Sequence, residues 1–385
     1  MSAAKSHPMM PDSNHDESAE QQFVIALKSY VAANLDPFVR ERTLQTASEL
    51  RTQSGAEPSL PQIRRKLERE PMYQNWVSTM RSAQELMWQA AGDCVDRQRG
   101  QLDAAARAAP LLGSLTTDPQ FQVPRYLTAT DTHMMPGSYY TDPADGGVRQ
   151  GAVFDKAASL YSLGRQGGQM NDMRGQTVAT HVYERFPNLT PHRMLEMGCT
   201  IGNSLVAVSK AFPQAEVHGI DVGAGLLAYA QARASGLGVA LHCKQASAEE
   251  TGYPDNYFDL VFTSAVLHET SAKALPRIIR ECFRVLRPGG VMVHLEVPFR
   301  ADDADPYALL RADFETRYNN EPFWMGAVSA DLAGLSQRCG FSDVAAGYQD
   351  AAFGPPRHGI SGSFGQDNKG GYKSWYVVSA RKSMS

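Results

Sequence analysis

The 385-residue chain is longer than one minimal domain needs and therefore predicts two lobes. Its net charge of −4 argues against a nucleic-acid partner, and its 43% hydrophobic content is enough for a large core. The five cysteines are scattered and form no C-x-x-C pair, so we expect reduced thiols, a cytoplasmic location and no metal site. No apolar run approaches ~18 residues, so no membrane span is expected.

The N-terminal part of the chain is predicted to be mainly helical. Residues 1–20 are strongly polar and predict a disordered tail. Residues 21 to about 109 have a helical pattern, most clearly over 73–99, where apolar side chains recur at steps of three, four and seven. This stripe, which includes Trp76 and Trp88, could line a substrate pocket, but helix–helix packing is the more common role of such stripes.

A long connection and two further helices follow. Residues 110–151 are irregular and rich in proline and glycine, and they complete a helical N-terminal lobe predicted over 21–150. His133 in this connection could contact a substrate, or it could be a solvated or locally bonded histidine. Helices are expected over 153–163 and 171–186. The glycine-rich segment between them suits either a lid or an ordinary flexible loop.

The most informative stretch is a predicted strand, turn and helix over residues 193–212. Glu196 stands near the end of the strand, and Gly198 and Gly202 allow a tight turn. Such a turn exposes backbone N–H groups at a helix start to a ligand. The next predicted strand ends in Asp221, about 20 residues after the turn, where a carboxylate can accept hydrogen bonds from both hydroxyls of a ribose.

Two cofactor classes compete for this turn. A nicotinamide dinucleotide would require glycine where the chain has Thr200 and Asn203, and Glu196 would repel its pyrophosphate. S-adenosylmethionine has no phosphate, and its ammonium and sulfonium groups tolerate a carboxylate. The residues therefore favour S-adenosylmethionine.

Four ordered stretches resemble the class I S-adenosylmethionine-dependent methyltransferases, and most of all their type 11 branch, which includes the quinone-biosynthesis C-methyltransferases. The stretches are Leu195-Glu-Met-Gly-Cys-Thr-Ile-Gly202, His218-Gly-Ile-Asp221, Tyr253-Pro-Asp-Asn-Tyr-Phe-Asp-Leu-Val261 and Phe283-Arg-Val-Leu-Arg-Pro-Gly-Gly290. The resemblance covers roughly residues 154–382 and implies S-adenosyl-L-methionine as the cofactor. Two residues depart from the family pattern: Thr200 replaces a glycine of the loop, and Ser247 replaces a common adenine-binding aspartate.

Strand and helix patterns alternate through the rest of the chain, which is typical of a parallel sheet with right-handed crossovers. We predict a Rossmann-like, doubly wound α/β domain over residues 151–385. Its mostly parallel, seven-stranded sheet would have strands near residues 193–197, 216–220, 239–243, 258–263, 290–296, 343–348 and 373–380. The resemblance implies that the last strand is antiparallel.

Ligands of open α/β sheets bind beyond the carboxyl ends of the strands. This rule and the resemblance together nominate nine cofactor-binding residues: Glu196, Gly198, Gly202, Asp221, Val222, Ser247, Ala248, Glu249 and Ser264. The resemblance adds Tyr161, near the methionine end of the cofactor. Val222 and Ala248 would sandwich the adenine. For Glu249, a surface carboxylate is the alternative.

His268 is the candidate catalytic residue. It follows the strand predicted near 258–263, and it would act as a base if the acceptor must lose a proton. A histidine that bonds neighbouring loops is an equally open interpretation. Glu269 could orient it or bind an ammonium, and Glu296 is expected at the end of the next strand, facing the pocket.

The sequence as a whole predicts a methyltransferase that acts on a small molecule, without a nucleic-acid or membrane partner and with a possible homodimer. Three alternatives stay open: a non-methylating enzyme with the same cofactor, a cofactor-binding scaffold, and a protein methyltransferase. The N-terminal lobe could cover the acceptor side of the pocket or serve dimerisation.

Overall fold

A central sheet of nine strands organises the computed structural model, which describes residues 6–141, 147–356 and 363–384. The strands are β1 Gly113–Thr116, β2 Arg193–Met197, β3 Glu216–Asp221, β4 Leu241–Gln245, β5 Phe258–Ser264, β6 Leu286–Glu296, β7 Phe341–Asp350, β8 Phe364–Gly365 and β9 Ser374–Lys382. Their order across the sheet is β1-β4-β3-β2-β5-β6-β9-β7-β8.

The pairing confirms a doubly wound sheet with an antiparallel last strand. Strands β1 to β6 pair in parallel, while β9 is antiparallel to both of its neighbours, β6 and β7. All seven predicted strands are present, but the sheet has two more at its edges. The additional strands β1 and β8 have four and two residues, too few for the alternation that would predict a strand.

The helices lie before the sheet in the chain and between its strands. They are α1 His15–Tyr30, α2 Asp36–Ser54, α3 Leu60–Leu67, α4 Pro71–Arg97, α5 Arg99–Ala108, α6 Arg125–Thr128, α7 Arg149–Tyr161, α8 Met173–Arg185, α9 Asn203–Ala211, α10 Ala224–Gly236, α11 Leu275–Val285, α12 Pro306–Tyr318, α13 Trp324–Val328 and α14 Leu332–Arg338. A π-helical turn, Val31–Leu35, joins α1 to α2. Short 3-10 turns occur at Thr132–Met134, Gly168–Met170, Leu267–Glu269 and Ala301–Asp303.

The N-terminal segment differs from the predicted disordered tail over residues 6–20. Met9 is 2% exposed, and the Tyr229 hydroxyl donates a hydrogen bond to its carbonyl at 2.8 Å. Helix α1 already begins at His15, where Asn14 and Glu17 form a capping box. The polar composition wrongly predicts disorder for these residues, because a few buried contacts are enough to order the segment. Residues 1–5 of the predicted tail lie outside the described residues.

The N-terminal helices pack directly against the α/β core. One apolar cluster joins α1, α4 and α5 to α7 and α10, and it includes the buried Trp88, Val153 and Tyr229. A second cluster joins α2, α3 and α4 to α12, with Trp76 against Phe314 at 5.3 Å between ring centroids. The apolar stripe of α4 therefore contributes mainly to helix packing, which is the more common role of such stripes.

None of the helices in the described ranges combines the length and the apolar character that crossing a membrane requires.

Candidate active site

A cavity of about 590 Å³ opens at the carboxyl ends of the central parallel strands. The strand ends contribute Gly198, Asp221 and Ser264 to one wall. The other wall comes from the N-terminal region and from α12, through side chains such as Trp88 and Arg311. The strand ends thus line a cavity where the rule for open α/β sheets expects a ligand.

The turn between β2 and α9 brings bare backbone to the cavity. Gly198 has a φ of 73°, and a Cβ atom there would lie 2.8 Å from the Val266 side chain. Thr200 has a φ of 44°, the left-handed conformation that favours glycine. The turn therefore forms despite the threonine, at a strain cost of roughly 1–3 kcal/mol. Gly202, with a φ of 69°, shapes the turn but does not line the cavity.

Asp221 ends β3 with its side chain at the cavity wall. Its Oδ2 accepts a hydrogen bond from the Thr200 N–H at 2.9 Å, and its Oδ1 accepts one from the Gly223 N–H at 3.0 Å. Burial raises the pKa of Asp221 to about 6, although these backbone hydrogen bonds oppose the rise. The oriented carboxylate keeps further lone pairs for hydroxyl donors in the cavity.

Glu196 and Arg174 lie close to the same turn and carry opposite charges. Glu196 is 2% exposed, and its Oε2 has no hydrogen-bond partner among the described residues. Burial raises the pKa of Glu196 well above its usual range, and the charge of Arg174 opposes that rise. Arg174 belongs to α8 and lines the cavity, and its buried Nε also lacks a hydrogen-bond partner within the described ranges. Unsatisfied buried groups of opposite charge indicate a ligand that carries both charges.

The other predicted cofactor residues at the strand ends fall into two groups. Four of them line the cavity: Val222, Ser247, Ala248 and Ser264. Glu249 does not, because its carboxylate turns towards Arg277 and forms an ion pair with that side chain at 3.2 Å. The Glu249 side chain is only 15% exposed, so it is not a surface carboxylate either, and its contact with the cofactor stays a prediction.

Aromatic side chains surround the part of the cavity that faces away from the strand ends. Tyr161 at the end of α7 lines it, and its ring lies 5.7 Å from the ring of His133. Lys28 Nζ lies 4.6 Å from the centre of the Tyr161 ring. Trp88 also lines this part, and its Nε1 donates a hydrogen bond to the His133 carbonyl at 2.7 Å. This part can hold an apolar or aromatic ligand beside the predicted cofactor.

His268 lies in the turn after β5 and lines the cavity. Its Nδ1 is 2.7 Å from Glu296 Oε2, while Glu296 Oε1 accepts from the Val266 and Leu267 N–H groups at 2.9 and 2.7 Å. Burial lowers the pKa of His268, but the charge and hydrogen bond of Glu296 outweigh it and raise the pKa to about 9. An imidazole with this pKa holds its proton at neutral pH, which does not favour the predicted role as a base.

His133 extends this arrangement. Its Nε2 lies 2.8 Å from Glu269 Oε1, and its Nδ1 lies 2.8 Å from Glu321 Oε1. His268 Nε2 is 3.6 Å from the same Glu269 oxygen. Burial lowers the pKa of His133, but the carboxylates of Glu321 and Glu269 outweigh burial and hold the pKa well above its usual range. We call this row of five neighbouring side chains the Glu–His series; it consists of Glu296, His268, Glu269, His133 and Glu321.

Two residues of the site had no signal in the sequence. Arg174 is one of several arginines on amphipathic helices, and Glu321 lies in the loop between α12 and α13, far from any motif. Both reach the site only because α8 and α12 pack against it. Asp221 was predictable as a cavity residue because it ends a strand. Glu196 and Glu296 also stand at or near strand ends, but they are buried and are not among the residues that line this cavity.

Residues 194–290 match the family model described as a methyltransferase domain. This part of the chain is similar to methyltransferase domains. It is similar to trans-aconitate 2-methyltransferase from Methylobacterium radiotolerans, with 34% identity over 30% of this chain and 41% of the relative. It is also similar to the ubiquinone/menaquinone biosynthesis C-methyltransferase UbiE from Vibrio campbellii, with 27% identity over 50% of this chain and 80% of that protein.

Several relatives of the methyltransferase domain are matched over only part of their length. The chain spans 45% of an uncharacterized Haemophilus influenzae protein at 32% identity, and less than half of the trans-aconitate enzyme. Among solved structures, the phosphoethanolamine N-methyltransferase 2 of Haemonchus contortus has a TM-score of 0.42 and 16% identity, over 60% of this chain and 57% of that one.

Proposed function

We propose that this protein transfers a methyl group from S-adenosyl-L-methionine to a small-molecule acceptor. The observation that carries the proposal is the set of charges around the turn after β2. Glu196 is a buried carboxyl group and Arg174 a half-buried guanidinium, each with one buried polar atom that has no hydrogen-bond partner among the described residues, and Asp221 stands one strand away. The cofactor has an α-ammonium, an α-carboxylate and a ribose diol, which complement these three side chains in turn.

The buried pair supports this cofactor over a dinucleotide. A lone buried carboxylate is costly unless a cation or a proton neutralises it, and the same holds for a lone buried guanidinium. A zwitterionic amino-acid end satisfies both groups at once, since Glu196 can accept from its ammonium and Arg174 can donate to its carboxylate. A pyrophosphate would satisfy Arg174 alone and would be repelled by Glu196.

The shape and lining of the cavity support a small acceptor. Its far side is walled by aromatic residues from the N-terminal region and by α12, which includes Tyr307 and Arg311. The names of several curated relatives refer to methyltransferases of small molecules, such as trans-aconitate and phosphoethanolamine. An acceptor held in this aromatic pocket would lie beside the predicted methyl donor, with bulk water excluded.

The proposed reaction requires little covalent chemistry from the protein. The cofactor would supply a methyl group that its sulfonium activates, and the chain's own residues would align the acceptor and exclude water. Tyr161 and Trp88 would form the wall against which the acceptor packs. The catalytic role of His268 stays a prediction, and its proton at neutral pH suits hydrogen-bond donation to an acceptor oxygen better than proton removal.

The proposal can be tested by comparing two ligands. The variant Arg174→Met should bind S-adenosyl-L-methionine about 10–100-fold more weakly by calorimetric titration, because a charged hydrogen bond contributes about 1.5–3 kcal/mol. Its affinity for 5′-methylthioadenosine, which lacks the amino-acid end, should stay within about twofold of the unchanged chain. Glu249→Gln is the matched control and should bind both ligands normally, since Glu249 faces Arg277.

Two outcomes would contradict the proposal. Equal loss of both ligands in Arg174→Met would mean that Arg174 does not contact the amino-acid end. If the unchanged chain showed no measurable binding of S-adenosyl-L-methionine, this molecule would not be its cofactor. A labelled-methyl assay with small-molecule extracts, and with cell proteins as the comparison, would then separate small-molecule transfer from protein methylation.

A further inference from the structure

We propose that His133, His268 and Glu269 bind one divalent transition-metal ion at the wall of the cavity. The two imidazole Nε2 atoms converge on one carboxylate oxygen, Glu269 Oε1, at 2.8 Å from His133 and 3.6 Å from His268. Ligand atoms that lie about 2.0–2.2 Å from a common ion are themselves roughly 3.0–3.5 Å apart. The two observed separations lie just below and just above this range, so small side-chain rotations would bring each Nε2 to a suitable distance from the Glu269 oxygen.

Each histidine is oriented through its other nitrogen. His268 Nδ1 is 2.7 Å from Glu296, and His133 Nδ1 is 2.8 Å from Glu321. Histidines that bind metals usually have a carboxylate or carbonyl on the second ring nitrogen, which fixes the ring and leaves the first nitrogen for the ion. Both histidines have a carboxylate oxygen close to Nδ1, through a hydrogen bond at His268 and through an ion-pair contact without hydrogen-bond geometry at His133, and both Nε2 atoms lie on the Glu269 side.

The three proposed ligands have access to the cavity, whereas Glu321, which orients His133, does not. His133, His268 and Glu269 all line the cavity, while Glu321 is fully buried behind His133. Glu321 Oε2 is buried without a hydrogen-bond partner among the described residues. The remaining coordination positions would face the cavity.

The backbone at His133 adds an independent reason. His133 and Met134 both have a φ of 57°, an uncommon conformation for two successive residues that are not glycine. The His133 carbonyl accepts hydrogen bonds from Trp88 Nε1 at 2.7 Å and from Gln84 Nε2 at 3.2 Å, which hold the strained turn in place. Backbone strain that is held in this way concentrates at ligand sites.

Ion pairing alone is the competing explanation of the Glu–His series. Alternating carboxylates and protonated imidazoles would give the same contacts without any metal. The two explanations differ in what they need: ion pairing needs only opposite charges, whereas a metal site needs both Nε2 atoms to face one oxygen beside an open space. The donor set of two imidazoles and a carboxylate suits zinc, iron, cobalt or manganese better than calcium or magnesium.

A metal ion at this site would also be able to bind the methyl acceptor, and this part of the inference rests on the proposed function. An ion at the cavity wall could bind an oxygen atom of the acceptor and hold it beside the methyl donor. The metal site itself does not depend on that role, so the test measures metal binding without S-adenosylmethionine.

The test uses the full chain after treatment with a chelator, titrated with Co²⁺ and with Zn²⁺. We expect one Co²⁺ per chain, a visible absorption spectrum of an ion with nitrogen and oxygen ligands, and displacement of Co²⁺ by Zn²⁺. Glu269→Gln and His133→Ala should each weaken binding by more than ~100-fold, and Glu296→Gln, which removes only an orienting carboxylate charge, by roughly 10–100-fold. His242→Ala is the control, because His242 lies on β4 beside Ser114 and outside the cavity lining, and it should bind normally.

Absence of saturable Co²⁺ binding by the unchanged chain would overturn the proposal in favour of ion pairing. Equal affinity in the Glu269→Gln variant would also overturn it, because the ion would then be bound elsewhere. Circular dichroism checks that each variant is folded. If His133→Ala is not folded, the conservative Glu269→Gln variant still decides the question. Failure of cofactor binding would leave these results unaffected, so the two proposals fail separately.

Discussion

Asp221 is a buried carboxylate whose ionisation should control cofactor affinity. Its pKa is raised to about 6 by burial, so below pH 6 the protonated form dominates. The ionised form can accept from both ribose hydroxyls, whereas the protonated form loses acceptor capacity and charge. We therefore expect affinity for S-adenosyl-L-methionine to be nearly constant between pH 7 and 8 and to fall about fivefold between pH 6 and 5. Calorimetric titration across this range is the measurement.

The control for this pH dependence uses Asp221→Asn with 5′-methylthioadenosine. This ligand retains the ribose but has no amino-acid end, so the titration of Glu196 does not enter. Asp221→Asn should bind it about 2–4 kcal/mol more weakly and with no change between pH 8 and 5. A variant that keeps the original pH profile would show that another group is responsible.

At the scale of single residues, the sequence predicts the site well only where a side chain is tied to a strand end. Asp221 and Ser264 reach the cavity because strand positions fix their direction, and Ala248 lines it from the loop after β4. Glu249, one residue after Ala248, pairs with Arg277 and does not line the cavity, and the sequence does not reveal that partner. Arg174 was missed because the face of a helix that meets a cavity depends on tertiary packing.

At the scale of elements, α12 is held to the N-terminal helices by a buried ion pair. Arg64 Nη1 lies 2.9 Å from both oxygens of Asp313, and their side chains are 10% and 11% exposed. Asp313→Ala should lower the free energy of unfolding by about 3 kcal/mol, because it leaves the buried guanidinium with only the exposed Glu68 carboxylate, at 3.3 Å from Arg64 Nε. Urea denaturation followed by circular dichroism is the measurement.

A double variant separates the loss of the ion pair from the loss of packing. Arg64→Met with Asp313→Leu should recover most of the lost stability, since apolar residues can replace a buried pair at little cost. Arg40→Ala, which removes an exposed pair with Asp305, should change stability by no more than ~1 kcal/mol. If Asp313→Ala were as mild as Arg40→Ala, α12 would be held by its apolar contacts alone.

The elements themselves were predictable in proportion to their length. The long α4 and the seven main strands have enough periodic residues to be recognised, and α7 and α8 begin and end within a few residues of the prediction. Strands β1 and β8 were not recognised because they exist only through pairing with a neighbouring strand. The same holds for the ordered segment over residues 6–14, whose conformation comes from contacts with α7 and α10.

At the scale of the whole molecule, the shared apolar clusters imply that the N-terminal helices and the sheet unfold together. Val153 and Tyr229 of the α/β part are buried against α1 and α4, so a truncated chain that begins near Gly147 would expose them. We expect such a truncation to aggregate or to remain unfolded in size-exclusion chromatography. This outcome differs from that of an independent dimerisation lobe, whose removal would leave a folded monomer.

Ligand binding offers a direct measure of this coupling, because it stabilises every part of one cooperative unit equally. A cofactor at 100 times its dissociation constant should stabilise the folded state by about 2.7 kcal/mol. Hydrogen exchange should then show this increase in the most protected amides of α4 near Trp76 as well as in β5, although Trp76 is fully buried against Phe314 and does not line the cavity. An increase confined to β5 and its neighbours would show that the N-terminal helices open independently. An equal increase in both would mean that the wall of the acceptor pocket and the predicted cofactor site belong to one folding unit.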